Sequence, residues 1–460
     1  MSTLESYFTE FRKNIIGIEH TFTTPYGDKQ ILYADWIASG RLYKPIEEKL
    51  ATRIGPFVGN THTETNITGT TMTKAYHNAH TITKRHVNAG PDDVLIYAGF
   101  GMTAAINKFQ RLLGLRTPDQ LSDYINLPDA LKPVVFVTHM EHHSNHTSWL
   151  ATLADVVVIK HNADSLVDVS DLEFQLNQYR NRRLKIGAFT ACSNVTGIRT
   201  PYRKMAKMMH KHGGFCFVDF AASAPYVPID MHPNNPDEKL DAIFFSPHKF
   251  LGGPGASGVL VFDSSLYKNE IPDHPGGGTV DYTNPWGHHT FTKNIETRED
   301  GGTPGFLQAI KGALAITLKE QMTVEKMLTR EEELAAIVFN EIRKIPNLHL
   351  LADNIEDRLC VFSFYVDKIH YNLIVKLLND RFGIQVRGGC SCAGTYGHYL
   401  LHVGPQQSKR ITKKIQHGDL SEKPGWVRLS LHPTMKNDEV YYILDSIKQI
   451  TKNIDKWEKD

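Results

Sequence analysis

Lys249 stands in Ser246-Pro247-His248-Lys249, directly after an apolar run at 242–245, and is followed by Phe-Leu-Gly-Gly-Pro-Gly-Ala-Ser-Gly. A lysine at the carboxyl end of a buried strand, followed by glycines that let backbone approach a ligand, can hold a group covalently through its amine. Alone, the pattern also describes a surface lysine beside a glycine turn. It gains weight from Phe217-Val218-Asp219-Phe220-Ala221-Ala222, where the preceding strand run ends on an acid. An acid after a strand is commonly a helix N-cap. One crossover from a strand-end lysine, it can also serve the same site.

The lysine and acid together suit pyridoxal phosphate, with the amine forming a Schiff base and the carboxylate keeping the ring nitrogen protonated so that the ring accepts electrons. Three more strand ends fit. Gly99-Phe100-Gly101-Met102-Thr103 precedes a helical pattern at 104–113, so its amides and the Thr103 hydroxyl could hold a phosphate at a helix N-terminus. Thr138-His139-Met140-Glu141-His142-His143-Ser144-Asn145-His146 offers imidazoles that could stack on a planar ring or bind a metal. Zinc is disfavoured because adjacent His142 and His143 do not share a face of a helix or strand, and no Cys-x-x-Cys or His-Glu-x-x-His spacing occurs. Ser193-Asn194-Val195-Thr196-Gly197 supplies a neutral amide.

These segments must be positioned by the apolar runs that precede them. Runs at 94–97, 134–137, 156–159, 186–190, 215–218, 242–245 and 259–262 read as buried strands alternating with helical patterns. Runs apolar on both faces, such as 156–159, indicate a mostly parallel α/β sheet covered on both sides. Ligands then bind at the carboxyl ends of the strands. Beyond about residue 305 the pattern becomes one long helix (306–344), strands at 360–366, 384–386 and 427–431, and helices at 371–382 and 439–452. This gives a large domain over 31–305 and a smaller α+β domain over 306–460. Residues 1–30 read as an arm packing with the smaller domain, ahead of a first strand signal at 31–33. The stretches 115–132, 231–240 and 404–425 read as surface loops.

The chain has 460 residues, with 51 Lys+Arg against 50 Asp+Glu, so there is no basic excess for a generic nucleic-acid surface. Five cysteines, at 192, 216, 360, 390 and 392, are too few and odd in number for a disulfide scaffold and point to free thiols in a reducing compartment. No signal peptide or apolar run long enough for a bilayer is apparent. The expectation is a cytoplasmic protein with a small-molecule substrate.

The motifs Thr138-x-x-Glu141-His142-His143-Ser-Asn145, Ser193-Asn194-Val-x-Gly197, Val218-Asp219-x-Ala221, Ser246-x-His248-Lys249, Arg387-Gly-Gly-Cys-Ser-Cys392 and Arg428-Leu-Ser430 occur in an order and at separations that resemble the class V aminotransferase family of fold type I pyridoxal phosphate enzymes. Within it, the likeness is greatest to cysteine desulfurases and selenocysteine lyases. The resemblance implies that Lys249 carries the cofactor, Asp219 pairs with its ring nitrogen, His142 stacks on its face, and Asn194 lies beside its phenolic oxygen and the substrate. It implies phosphate contacts from Gly101, Met102, Thr103, Ser246 and His248, and from Thr279 of a neighbouring subunit, hence a homodimer with shared sites. Arg428 would clamp the substrate carboxylate, assisted by Arg387; a planar guanidinium suits that task. Cys392 would take sulfur or selenium from the substrate as a persulfide and pass it to an acceptor protein, releasing alanine. Arg387 and His398 are close to Cys392 in sequence, a setting that could favour its thiolate. Cys192, Cys216 and Cys360 fall in or beside apolar runs and read as core.

Two departures from the desulfurase pattern leave a second activity open. Ala222 stands where a glutamine or histidine is usual, and the stretch from Cys392 to Arg428 is long. The alternative is an aminotransferase, epimerase or β-lyase acting on another small amino acid, with Ser391-Cys392-Ala393 as a substrate loop.

Overall fold

The computed structural model describes residues 3–61 and 63–457. Seven short apolar runs make one sheet: β1 (Asp93–Ala98), β2 (Val134–Thr138), β3 (Asp155–Ile159), β4 (Lys185–Thr190), β5 (Phe215–Asp219), β6 (Ala242–Phe245) and β7 (Gly258–Asp263). Their spatial order is β1-β7-β6-β5-β4-β2-β3. The pairs β2/β3, β2/β4, β4/β5 and β5/β6 are parallel, whereas β7 runs antiparallel to both β1 and β6. The fold is therefore α/β around a mostly parallel sheet, as expected, with one strand reversed.

Alternation of side chains explains why the strands are apolar throughout. Val135, Val137, Ile186, Ala188, Phe217 and Phe244 pack on one face with Phe109 of α1 (Met102–Leu112). Val134, Phe136, Phe189, Val218, Ile243 and Phe245 form the core of the other face. Neither face is left to water. β3 departs from the expectation of a fully buried strand: residues 155–158 are only half-buried, because β3 pairs on one side alone at the sheet edge. The His-rich segment runs into α2 (His143–Leu150), which follows β2.

The long helix expected over 306–344 is two helices, α3 (Phe306–Met322) and α4 (Val324–Ile342). Thr323 between them has φ +61°, a left-handed conformation that cannot continue an α-helix. A second, antiparallel sheet of β8 (Leu348–Leu350), β9 (Val361–Val366), β10 (Arg387–Gly389) and β11 (Trp426–Ser430) follows, in the order β8-β9-β11-β10.

Two stretches are more ordered than their sequences suggest. In 404–425, read as loop, α6 (Pro405–Gln416) forms after α5 (Gly394–Leu400). Only Ile411 of α6 is buried, so no apolar stripe announced it; proline in its first turn and ion pairs of Arg410 and Lys414 with Glu422 support it instead. Before residue 31, Thr21–Thr24 and Gly27–Gln30 form an antiparallel ribbon. Its residues are mostly exposed and polar, and give no period-two signal. Leu32–Tyr33 then pairs in parallel with Ile384–Gln385, bringing the start of the chain to the second sheet.

Candidate active site

The carboxyl ends of β1, β2, β4, β5 and β6 open into a cavity of about 610 Å³, lined among others by Thr103, His142, Asn194, Asp219, Lys249 and Cys392. This is where a parallel sheet presents loops rather than side chains committed to packing. Asp219 is the last residue of β5, and its Oδ1 accepts from the Ala221 amide at 2.7 Å. Burial pushes its carboxyl up to about 6, opposed by that amide and by nearby Lys249. Burial lowers Lys249 to about 8, with Asp219 acting against the shift. The lysine therefore has a substantial neutral fraction near physiological pH and can act as a nucleophile.

His142 caps α2 through Nδ1, which accepts from the Ser144 amide at 3.1 Å. Burial first, then Lys249, hold its pKa at about 3, so the ring is neutral. Beneath it, the buried Glu141 carboxylate collects Thr138 Oγ1 (2.7 Å), the Thr190 amide (2.8 Å) and Asn145 Nδ2 (2.7 Å). One side chain thus ties the ends of β2 and β4 to α2. Burial raises Glu141 to about 8 despite those donors.

At the start of α1, the Met102 amide donates to Ser246 Oγ at 2.8 Å, which leaves the Ser246 proton free for another acceptor. A Cβ on Gly101 would stand 3.2 Å from Ser246 Oγ and 3.5 Å from His248 Nε2. The concavity exists because that side chain is missing. Burial keeps His248 neutral, at about 4. The Thr103 and Ser144 hydroxyls lie 2.6 Å apart on the rim.

Arg387 on β10 is directly opposite Arg428 on β11, a like-charge pairing that destabilises an antiparallel ladder unless compensated. Asp35 compensates it. Its Oδ1 accepts from Arg428 Nη2 at 2.7 Å and its Oδ2 from Arg387 Nε at 3.0 Å. Two cations share one anion, leaving one positive charge facing the cavity. Arg428 is buried, and its Nη1 donates to the Asn194 carbonyl at 3.2 Å; among the described residues its Nε has no partner, and neither has Asn194 Oδ1.

Cys392 is exposed, and both it and Ser391 have left-handed φ, +51° for Ser391 and +56° for Cys392. Non-glycine residues occupy this region at a cost, and only where their surroundings enforce it. Here the enforcement comes from four hydrogen bonds: His143 N to Cys392 O (2.8 Å), Asn194 Nδ2 to Ser391 O (2.8 Å), Trp426 Nε1 to Ser391 Oγ (3.2 Å) and Gly394 N to His143 Nε2 (2.9 Å).

The Aminotransferase class-V family model matches residues 32–443. The chain belongs to the class-V aminotransferase family. Among curated relatives, a probable cysteine desulfurase of Halalkalibacterium halodurans is 26% identical over 367 residues, covering 79% of this chain and 84% of that protein. One of Staphylococcus epidermidis is 28% identical over 373 residues, covering 80% and 84%. Among solved structures, the apo cysteine desulfurase of Thermococcus onnurineus NA1 superposes with TM-score 0.76 at 20% identity, covering 96% of this chain and 98% of its own. The cysteine desulfurase CsdA of Escherichia coli gives 0.74 at 22%, covering 97% and 98%. These two structures establish the shared fold.

Of the residues that the sequence singled out for this class-V site, Lys249, Asp219, His142, Asn194, Gly101, Met102, Thr103, Ser246, His248, Arg387, Arg428 and Cys392 all line the one cavity. Thr279 does not: it is buried in its own loop, its hydroxyl donating to the Gly276 carbonyl at 2.7 Å. His398 is also elsewhere, bonded to the Gly394 carbonyl and to Ser408, because α5 carries it away from Cys392. Ala222 lies on the cavity wall. Cys192, Cys216 and Cys360 are buried. Sequence reasoning gave no role to Asp35, whose link to two arginines more than 350 positions away arises only in the fold. An acid two residues after the short 31–33 run was the available signal.

Proposed function

We propose that this class-V aminotransferase family member is a pyridoxal phosphate-dependent cysteine desulfurase. The observation that carries the proposal is that an exposed cysteine on a strained loop, Cys392, and a buried, partly neutral lysine, Lys249, face the same cavity. Desulfurases named among its relatives and structural neighbours support the reading. In this reading residues 31–305 hold the cofactor and 306–460, with the arm 1–30, close over it.

The residues present fit the cofactor. The side-chain-free cradle at Gly101, the free Ser246 proton and the N-terminal end of α1 suit a phosphate. Asp219 suits a protonated ring nitrogen, the neutral His142 ring suits a planar face, and Asn194 Oδ1, without a partner among the described residues, suits a polar group of the cofactor or substrate. When bound through Lys249, the cofactor supplies an electron sink for the substrate's α-carbon. Arg428, oriented by Asp35 and aided by Arg387, binds the substrate carboxylate. The Lys249 amine would move the proton at the substrate's α-carbon. The Cys392 sulfur attacks the substrate sulfur: the carbon–sulfur bond breaks, the sulfur–sulfur bond forms and the β-carbon takes a proton. L-cysteine and the Cys392 thiol thus become alanine and a Cys392 persulfide. Exposure of Cys392 suits onward delivery to an acceptor, and Thr279 of the partner subunit is proposed to complete the phosphate site in a homodimer.

The test is alanine formation from L-cysteine by the cofactor-loaded protein, wild type against Cys392→Ala. Alanine from the wild type alone is expected. Alanine formed equally by both overturns the assignment of Cys392, and none from either overturns the substrate.

A further inference from the structure

One residue at the start of α2 holds the Cys392 loop from both sides of Ala393. The His143 amide donates to the Cys392 carbonyl at 2.8 Å, and His143 Nε2 accepts from the Gly394 amide at 2.9 Å. The ring comes this near because Gly394 has no side chain: a Cβ there would stand 3.1 Å from Nε2. Gly394 is also the first residue of α5, and the opening amides of a helix find no carbonyl within it. The imidazole supplies the acceptor that the helix lacks.

That bond dictates the charge of the ring. An amide N–H can only donate, so Nε2 must offer a lone pair and the proton of the neutral ring is assigned to Nδ1. A protonated imidazole is a donor at both nitrogens and would turn N–H against N–H. Burial works in the same direction, drawing the His143 pKa below its ordinary value. Ser391 and Cys392 hold left-handed backbone that persists only while its surroundings enforce it, so loss of this bond favours relaxation of the loop.

The other ionisable groups facing the ring do not compete for the Gly394 amide. On its own segment, His142 stays neutral with a pKa of about 3, and buried Glu141 is tied to Thr138, Thr190 and Asn145. One turn further on, His146 Nδ1 lies 3.2 Å from the Thr395 hydroxyl, which can donate to a bare nitrogen or accept from a protonated one. On α5, His398 Nδ1 lies 2.7 Å from the Gly394 carbonyl and can donate to it in either charge state. The thiols of Cys390 and Cys392 take no part in the two bonds.

We propose that His143 is a positioning residue for Cys392: its neutral ring holds the loop in the conformation that sets the thiol at the cavity, and protonation of the ring lets the loop go. The effect on sulfur transfer rests on the desulfurase reading, whereas the release of the loop does not. Hydrogen exchange of peptides covering residues 391–396 is followed by mass spectrometry in the cofactor-loaded protein, each rate being divided by the intrinsic rate at that pH. A released ring has the ordinary imidazole pKa of about 6.5, so protection should be full above that pH and fall about tenfold between pH 7.5 and pH 5.5. His143→Gln, whose Oε1 is an acceptor that does not titrate, should keep the protection and lose its pH dependence. His143→Phe should lower protection at both pH values, while amides of β2, β4 and β5 stay protected in all three proteins. Wild-type protection that is independent of pH, or a pH dependence retained in His143→Gln, overturns the proposal. The ratio of alanine formation by His143→Gln to that by wild type should rise as pH falls, because ionisations common to both cancel; a flat ratio overturns the role of His143 toward Cys392. The expected exchange pattern with no alanine from either protein upholds the hold on the loop and overturns the desulfurase reading instead.

Discussion

Lys249 and Asp219 sit on the floor of the cavity, at the ends of strands buried on both faces, whereas Cys392 hangs from a loop held by hydrogen bonds and left-handed backbone. The floor is fixed by the sheet: Asp219 is in register with Thr190 and Phe244, and Glu141 ties the neighbouring strand ends together. The loop is fixed by His143, Asn194 and Trp426, and its thiol faces solvent. The two regions suit different tasks. A group that must hold one orientation through a reaction belongs on rigid elements, while a group that must collect an atom and deliver it outside belongs where it can be reached.

Replacing Lys249 with Ala should have the largest effect, lowering alanine formation by about a thousandfold or more and removing the visible band of covalently held cofactor. Turnover surviving there would sink the assignment of the floor. Cys392→Ser should lower alanine formation from L-cysteine by about a hundredfold while leaving that band unchanged. A changed spectrum would show that floor and loop are not separable, and a retained rate would show that Cys392 does not accept the sulfur. Asp35→Asn should cost about 3 kcal/mol of folding stability by leaving Arg387 and Arg428 opposed, read as a lower urea midpoint. An unchanged midpoint would mean the two arginines do not need their shared anion. The smallest effect is on pH. Capture of added pyridoxal phosphate by the cofactor-free protein needs the neutral Lys249 amine, and its pKa of about 8 predicts a rate that rises about tenfold from pH 7 to pH 9 and then levels off. A flat profile would show that lysine deprotonation does not limit capture.

The floor was legible in the sequence because its parts are local: Asp219 follows directly on one apolar run and Lys249 comes four residues after the next, and the runs themselves declare a buried parallel sheet. The loop was legible only in part. Nothing near Cys392 in the chain reveals that its anchors are His143 and Asn194, and His398, close in number, is turned away by a helix. The arginine clamp depends on Leu32–Tyr33 pairing with Ile384–Gln385, a contact across most of the chain. α6 escaped notice because one buried isoleucine is too little to mark a helix.

The reversed strand β7 has an architectural consequence. Strands that run the common way deliver loops to the cavity, but β7 delivers only its beginning, Gly258, whose amide donates to the Gly99 carbonyl at 3.2 Å. A Cβ there would stand 2.2 Å from the Gly101 carbonyl oxygen. β7 therefore acts as a spacer: it sets the loops after β1 and β6 two strand widths apart, about 10 Å, and lets them lean together over its bare first residue until Met102 meets Ser246. The width of the anion cradle is thereby dictated by sheet geometry rather than by the loops that form it.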